Sequence, residues 1–272
     1  MAPPNKEKHI MDMLKKELAP LSTKVWEEIE KRAAEVLQSR LSARKVVKVE
    51  GPKGWDYTAV PEGRLDLVSD GEVKSGVYRV KPLAETRVRF ALNRWEMDNI
   101  TRGAKGIDLD ALDQALEKLA DFEENTIYNG FAAAGIQGIV QAAAHKAVAF
   151  GTDAAEIMEA VSQAQLALRS SHTHSPYSLV VGKKAWMAIN KEVQGIPLAE
   201  RLERLLGGKV VLAQTLDGAL LIPYDDENLE MTIGQDIALG YESHDTKTVT
   251  LFATESFTFR VLDPKRIICF TL

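Results

Sequence analysis

The sequence predicts an α+β fold built as two interlocked regions, on three observations. Asp108–Gly130 is one long amphipathic stretch, residues 44–90 and 229–262 alternate in the manner of strands, and residues 150–224 interleave short helical with short extended segments. A chain of 272 residues can bury a substantial core in such an arrangement.

Composition narrows the classes. Hydrophobic residues make up 45% and charged residues 27%, as in an ordinary globular protein. The balance of 34 basic and 39 acidic side chains, net −5, disfavours a surface built to bind phosphate backbone, so no nucleic-acid partner is expected. No apolar run reaches the length of a bilayer, and MAPPNKEKHIMDMLKKELAP is too charged for a signal peptide; a cytoplasmic location and no membrane partner are expected. Cys269, the single cysteine, lies in the apolar run Ile267 to Phe270 and reads as a buried small hydrophobe.

The elements follow in order. Residues 1–10 are polar with two prolines and predict an arm, here taken as 1–21. Ser22 opens a helix to about Arg40, with Val25, Trp26, Ile29, Ala33, Val36 and Leu37 on one broad face. From Arg44 the period changes to two: Val47 and Val49 alternate with Lys48 and Glu50 before the corner Gly51-Pro52-Lys53-Gly54. Trp55 to Phe90 continues extended and highly charged, with Arg79, Lys81, Glu85, Arg87 and Arg89 among its polar positions. A long two-stranded arm of this kind exposes both edges when isolated, and such edges are usually covered by another chain; an oligomer is expected.

Asp108–Gly130 then forms a helix of about six turns, capped by Asp108 and ended by Asn129-Gly130, with Leu109, Leu112, Leu116, Leu119 and Ile127 on one face. Projection at 100° per residue also puts Glu123 among the leucines. A carboxylate there must meet a basic partner or open to solvent. Further on, Asp153 caps a helix to about Arg169, Ser178–Val181 is a strand, Lys183 to about Glu192 and Leu198–Leu205 are helices, and Lys209–Ala213 and Ala219–Pro223 are strands. Leu229–Leu239 and Thr248–Leu262 return to antiparallel alternation.

No catalytic template fits. Gly51-Pro52-Lys53-Gly54 precedes no helix and Gly207-Gly208 precedes a strand, so neither aims a helix N-terminus at a phosphate. No Gly-x-Ser-x-Gly elbow and no Glu-x-x-His pairs occur. His172 and His174 lack a third ligand and read as an exposed loop, and Asp225-Asp226-Glu227-Asn228 lacks the spacing of a calcium loop, so no metal centre is expected. Glu123 and Glu124 read as an ion pair to a partner's arginine rather than as paired catalytic acids. The residues point to an assembly protein, not an enzyme.

Five segments, LSARKVVKVEGPKGW (41–55), KPL (81–83), WEMDN (95–99), IGQDIALGY (233–241) and ESFTF (255–259), together resemble the encapsulin shell proteins, in the same order and at similar spacing, and the resemblance runs from Met11 to the C-terminus. It implies the HK97-like capsid fold: a peripheral domain from 22–52, 84–149 and 225–272 with its spine helix at 108–130, an E-loop at 53–83, and an axial domain at 150–224. It implies an icosahedral homo-oligomer enclosing a cargo enzyme, a dye-decolourising peroxidase or a ferritin-like iron-oxidising protein, captured by a C-terminal targeting peptide. A major capsid protein of an HK97-type phage is the alternative. Carried over by position, the peptide groove takes Arg44 and Lys48 as polar anchors, Ile237 and Leu239 as apolar wall and Ile29 as neighbour; the family often has an acid where Lys48 stands. The loop Lys191, Glu192, Val193, Gln194, Gly195, Ile196 falls at the fivefold pore, and Trp95 at a position where some members stack a flavin. Glu123 is then expected to meet Arg79, Arg87 or Arg89 from a neighbour's E-loop.

Overall fold

A computed structural model describes residues 13–69, 72–191 and 195–272. The elements run α1 Thr23–Arg40, β1 Lys48–Glu50, β2 Ala59–Ser69, β3 Ser75–Pro82, β4 Ala84–Asn93, α2 Arg94–Arg102, α3 Asp110–Asn129, α4 Ile139–Ala142, β5 Val148–Ala149, α5 Ala154–Ser170, β6 Tyr177–Val181, α6 Lys183–Ile189, α7 Leu198–Leu206, β7 Val210–Leu212, β8 Ala219–Pro223, β9 Leu229–Ile233, β10 Ala238–His244, β11 Thr248–Val261 and β12 Ile268–Thr271.

The long strand β11 organises the first sheet. One of its edges pairs antiparallel with β4, from Thr248↔Asn93 to Phe257↔Ala84. The other pairs with β10 and then β9, and β1 adds in parallel to β9. The second sheet runs β5-β12-β8-β6-β7. Its central β6 and β8 are buried at every position, which is why YSLVV and ALLIP read as continuous apolar runs instead of alternating ones. The strands β2 and β3 pair only with each other and form the predicted arm, its side chains exposed along most of its length.

Helix α3 spans two cores. Leu112, Ala115, Leu116 and Leu119 pack with Val25, Ile29, Ala33 and Val36 of α1 and with Val249, Leu251 and Ala253 of β11. Its last turns bring Ile127 and Tyr128 into a second cluster, where Met231, Phe257 and Phe259 of the first sheet meet Val180, Leu220 and Ile222 of the second. That shared cluster joins the two regions. A third cluster, between α5, α6, α7 and the second sheet, belongs to the second region.

Three details differ from the sequence reading. Asp108 precedes the helix rather than capping it: its Oδ1 accepts from Asp110 N–H at 3.1 Å, and Leu109 stands at the cap position. The helix from Lys183 stops at Ile189, with Asn190 at its C-cap, where both its backbone N–H and its side-chain amide donate to the Trp186 carbonyl, at 3.2 and 2.8 Å. Finally β12, expected with the first region, lies between β5 and β8 in the second sheet. Residues 148–149 and 268–271 thus join 150–224 structurally; the run Ile267 to Phe270 is apolar on both sides, as a strand flanked on both edges and faces requires. Cys269 sits on this strand, where burial raises its thiol pKa, in line with a packing role.

Among the described residues no helix is long and apolar enough to cross a membrane. Leu116, fully buried where α1, α3 and the first sheet meet, is the sharpest probe of this core. Leu116→Ala should lower the unfolding free energy of the subunit by about 2–5 kcal/mol, read from guanidinium denaturation.

Candidate functional site

A groove of about 280 Å³ lies between α1 and the start of β10. Leu37, Leu116, Ile237 and Leu239 form its apolar walls, and Lys16 and Glu30 its polar rim. The opening exists because Ala33 and Ala34 present only methyl groups where the helix face would otherwise carry larger side chains. Of the residues expected here, Ile237 and Leu239 line it, and Ile29 is packed in the core beneath, in the same cluster as Leu239. Sequence reasoning, which tied Lys16 only to an arm near the groove, missed Glu30 and the two alanines. Only the Ala33-Ala34 pair, small residues on an apolar helix face, offered a signal.

Neither expected polar anchor lines the groove. Lys48 turns to Asp225, 3.7 Å away. Arg44, in the turn Ala43–Lys45 before β1, is mostly buried and committed to three carboxylates of its own chain. Its Nε lies 2.9 and 3.0 Å from the Glu123 oxygens, and its Nη2 2.6 Å from Glu123 Oε2 and 3.1 Å from Glu255 Oε2; its Nη1 reaches Asp236 Oδ1 at 2.7 Å. Only arginine supplies enough donors in one plane to serve three such partners. Burial by itself would lower the guanidinium pKa, but the hydrogen bonds and charge of Glu123, then of Asp236, hold it above the ordinary value.

This geometry corrects the expectation for Glu123. Its side chain is fully buried, and its arginine is Arg44, not an arginine of a neighbour's E-loop. The three candidates are engaged within their own chain: Arg79 with Asp66 across the β2–β3 hairpin, Arg87 with Glu85 and over the Phe252 ring, and Arg89 with Glu242. Charges on neighbouring strands find partners locally, whereas a buried carboxylate takes the cation folded in with it.

Two further carboxyls stand beside Glu123. Glu255 is pushed well above the usual carboxylate range by burial first and then by the charge of Glu123 and a hydrogen bond with it, against the pull of Arg44. Its Oε2 takes the Arg44 Nη2 at 3.1 Å, while its Oε1 is buried without a hydrogen-bond partner among the described residues. Glu124 faces the opposite way. It accepts from the backbone N–H groups of Ser42 and Ala43 at 2.9 and 2.8 Å and from the Ser42 hydroxyl, which in turn meets Tyr128 at 2.8 Å. Desolvation nonetheless raises Glu124 to about 7, the hydrogen bonds from Ser42 and Ala43 opposing it.

Residues 11–258 match the family described as an encapsulating protein for peroxidase. The chain belongs to the encapsulin shell-protein family. It is 36% identical over 265 residues to a type 1 encapsulin shell protein of Rhodospirillum rubrum, covering 94% of this chain and 95% of that one. It is likewise 36% identical over 252 residues to the type 1 encapsulin shell protein of Mycobacterium tuberculosis, covering 92% and 95%. Among solved structures, the virus-like particle of Pyrococcus furiosus superposes with a TM-score of 0.65 at 16% identity over 90% of this chain and 98% of that one. The capsid of an empty GTA particle gives 0.56 at 16% identity over 85% and 90%. At that identity these likenesses show the fold, the HK97-type capsid fold of encapsulins and phage capsids.

As an encapsulin-family shell subunit the chain is built for homo-oligomeric assembly. Of the loop matched to the family's fivefold pore, Glu192, Val193 and Gln194 lie outside the described residues, while Lys191, Gly195 and Ile196 at its ends are exposed. Trp95, on α2, is 69% exposed and carries the Arg102 guanidinium 5.7 Å from its ring centroid. A cation of the same chain stands over one face of the indole, and the ring remains largely exposed.

Two outcomes follow from the carboxyl cluster. Arg44→Met should destabilise the subunit by about 3–5 kcal/mol, because Glu123 is left buried without its cation, and adding Glu123→Gln should recover much of the loss, as denaturant midpoints would show. For Glu124 the folded pKa of about 7 exceeds the ordinary 4.5, so the folded state holds the proton more tightly. Its contribution is complete below pH 4.5 and is lost as the pH rises through 7, roughly 3 kcal/mol in all. Melting temperatures between those limits should fall with rising pH, and less steeply in Glu124→Gln.

Proposed function

We propose that the protein is the subunit of an icosahedral shell that encloses a dye-decolourising peroxidase or a ferritin-like protein, holding it by a C-terminal peptide laid in the groove between α1 and β10. The observation that carries this reading is the groove itself, an apolar trough with a polar rim on the firmest part of the subunit. An extended peptide loses much conformational freedom on binding, and pocketed apolar side chains are what offset that loss. Ile237, Leu239, Leu37 and the alanine floor supply the pockets, and Glu30 on the rim supplies a polar anchor in place of Arg44 and Lys48. The family's description as an encapsulating protein for peroxidase favours a peroxidase as cargo.

The remaining site assignments stand within the same reading. Residues 191–196 are proposed to border a pore that admits small substrates or iron, with Lys191 and Glu192 setting its charge. The β2–β3 arm is proposed as an inter-subunit element: Leu67 and Tyr78 are exposed on a hairpin too narrow to bury them, and a neighbouring subunit would cover them.

Filling the groove tests the cargo assignment without disturbing the core, because Ala34 is exposed. A fluorescent protein carrying the C-terminal tail of the host's dye-decolourising peroxidase, co-expressed with Ala34→Arg shells, should co-purify about tenfold less than with unaltered shells, equivalent to roughly 1.4 kcal/mol of binding. Equal loading of intact shells would place the peptide elsewhere.

A further inference from the structure

The strand β10 is an edge strand, paired on one side with β11 and lying along the groove on the other. Backbone groups alternate along it. Tyr241 N–H points away from β11, since it donates at 2.7 Å to the Leu14 carbonyl. Leu239, two residues earlier, therefore turns its own N–H and C=O the same way, beside the groove floor. This edge is the place where an extended peptide in the groove would find main-chain hydrogen bonds.

The chain's own N-terminal segment already uses part of that edge. Beyond the Leu14 contact, Lys16 pairs with Glu30 of α1, stands 5.2 Å over the Trp26 ring, and forms part of the groove rim. The short turn Lys16–Leu18 buries no residue, Leu18 is exposed, and Lys15 is held at φ 49, a left-handed conformation that non-glycine residues disfavour. A turn that buries none of its residues, with a disfavoured backbone at Lys15, marks a segment that opens at little cost compared with the core.

We infer that residues 14–18 form a displaceable strap over the β10 edge, and that a peptide entering the groove as an extended strand must first lift it. The inference rests on the groove reading above and adds its regulation. The strap sets a threshold: tight peptides displace it, whereas weak apolar segments of other proteins do not, and the Lys16–Glu30 pair is its clasp.

Two alterations loosen the strap without entering the core, Lys16→Glu, which sets like charges against each other at Glu30, and a chain lacking residues 2–18. Exchange of the Tyr241 amide in assembled shells, followed by mass spectrometry, should rise about tenfold in both. Loading of the peroxidase-tailed fluorescent protein, expressed below saturation, should rise severalfold in both. Faster exchange with unchanged loading, while Ala34→Arg still empties the shells, would overturn the strap and leave the groove reading intact. Unchanged exchange in both variants would equally overturn it. If Ala34→Arg shells load normally, the groove reading fails, and the strap's role in cargo entry fails with it.

Discussion

The subunit depends on one buried ion cluster. Arg44 stands where the chain passes from α1 into the first sheet, and its guanidinium holds Glu123 of α3, Glu255 of β11 and Asp236 of the β9–β10 loop at once. Arg44 thereby joins elements from three parts of the chain through charge. The next residue of the spine works on the same turn from the other side, Glu124 taking the backbone N–H groups of Ser42 and Ala43. Two consecutive glutamates thus fix three consecutive residues, 42–44, against the C-terminal part of α3. Three carboxylates around one arginine would be unbalanced if all were ionised. Burial and the charge of Glu123 push the Glu255 carboxyl toward its neutral form, and the half-exposed Asp236 keeps contact with water.

Much of this was legible in the sequence, and what was not has a common cause. The stripe on α3 revealed both the helix and the anomaly of Glu123, because helical periodicity is local information. The identity of its partner was not local. Arg44 lies 79 positions away in a turn whose sequence carries no directional signal, whereas Arg79, Arg87 and Arg89 were conspicuous because they sit on extended segments, where each is satisfied close by. The same distinction separates β11, whose alternation announces a strand, from β12, whose place between β5 and β8 is decided by pairing across the whole chain. In the groove, Ile237 and Leu239 could be read as apolar wall, but the cavity is made by what Ala33 and Ala34 lack.

The architecture separates a firm body from an arm that needs company. The body shares an apolar cluster between its two sheets, so neither region moves without disrupting the packing of Phe257, Phe259 and Leu220. The arm has nothing comparable. Its ion pair Arg79–Asp66 is solvent-exposed, and such pairs contribute at most about 1 kcal/mol, while two strands without a third or a covering layer are marginal on their own. An arm of this kind gains its final geometry from contacts with other copies, which suits a family whose members close into shells.

The groove's position follows from the same division. A binding trough holds its shape only if its walls cannot relax into it, and here the walls are α1 and β10, locked through Leu116, Leu251 and Ala253 to the spine and to the central strand. An alanine floor in a softer setting would collapse around a small void, since neighbouring side chains move to fill it. Rigid elements therefore make the cavity persistent, and mobile specificity has to come from something laid on top. The segment from Leu14 to Leu18 has that character: it touches the outermost strand of the sheet and the rim of the trough, and its turn Lys16–Leu18 buries none of its residues.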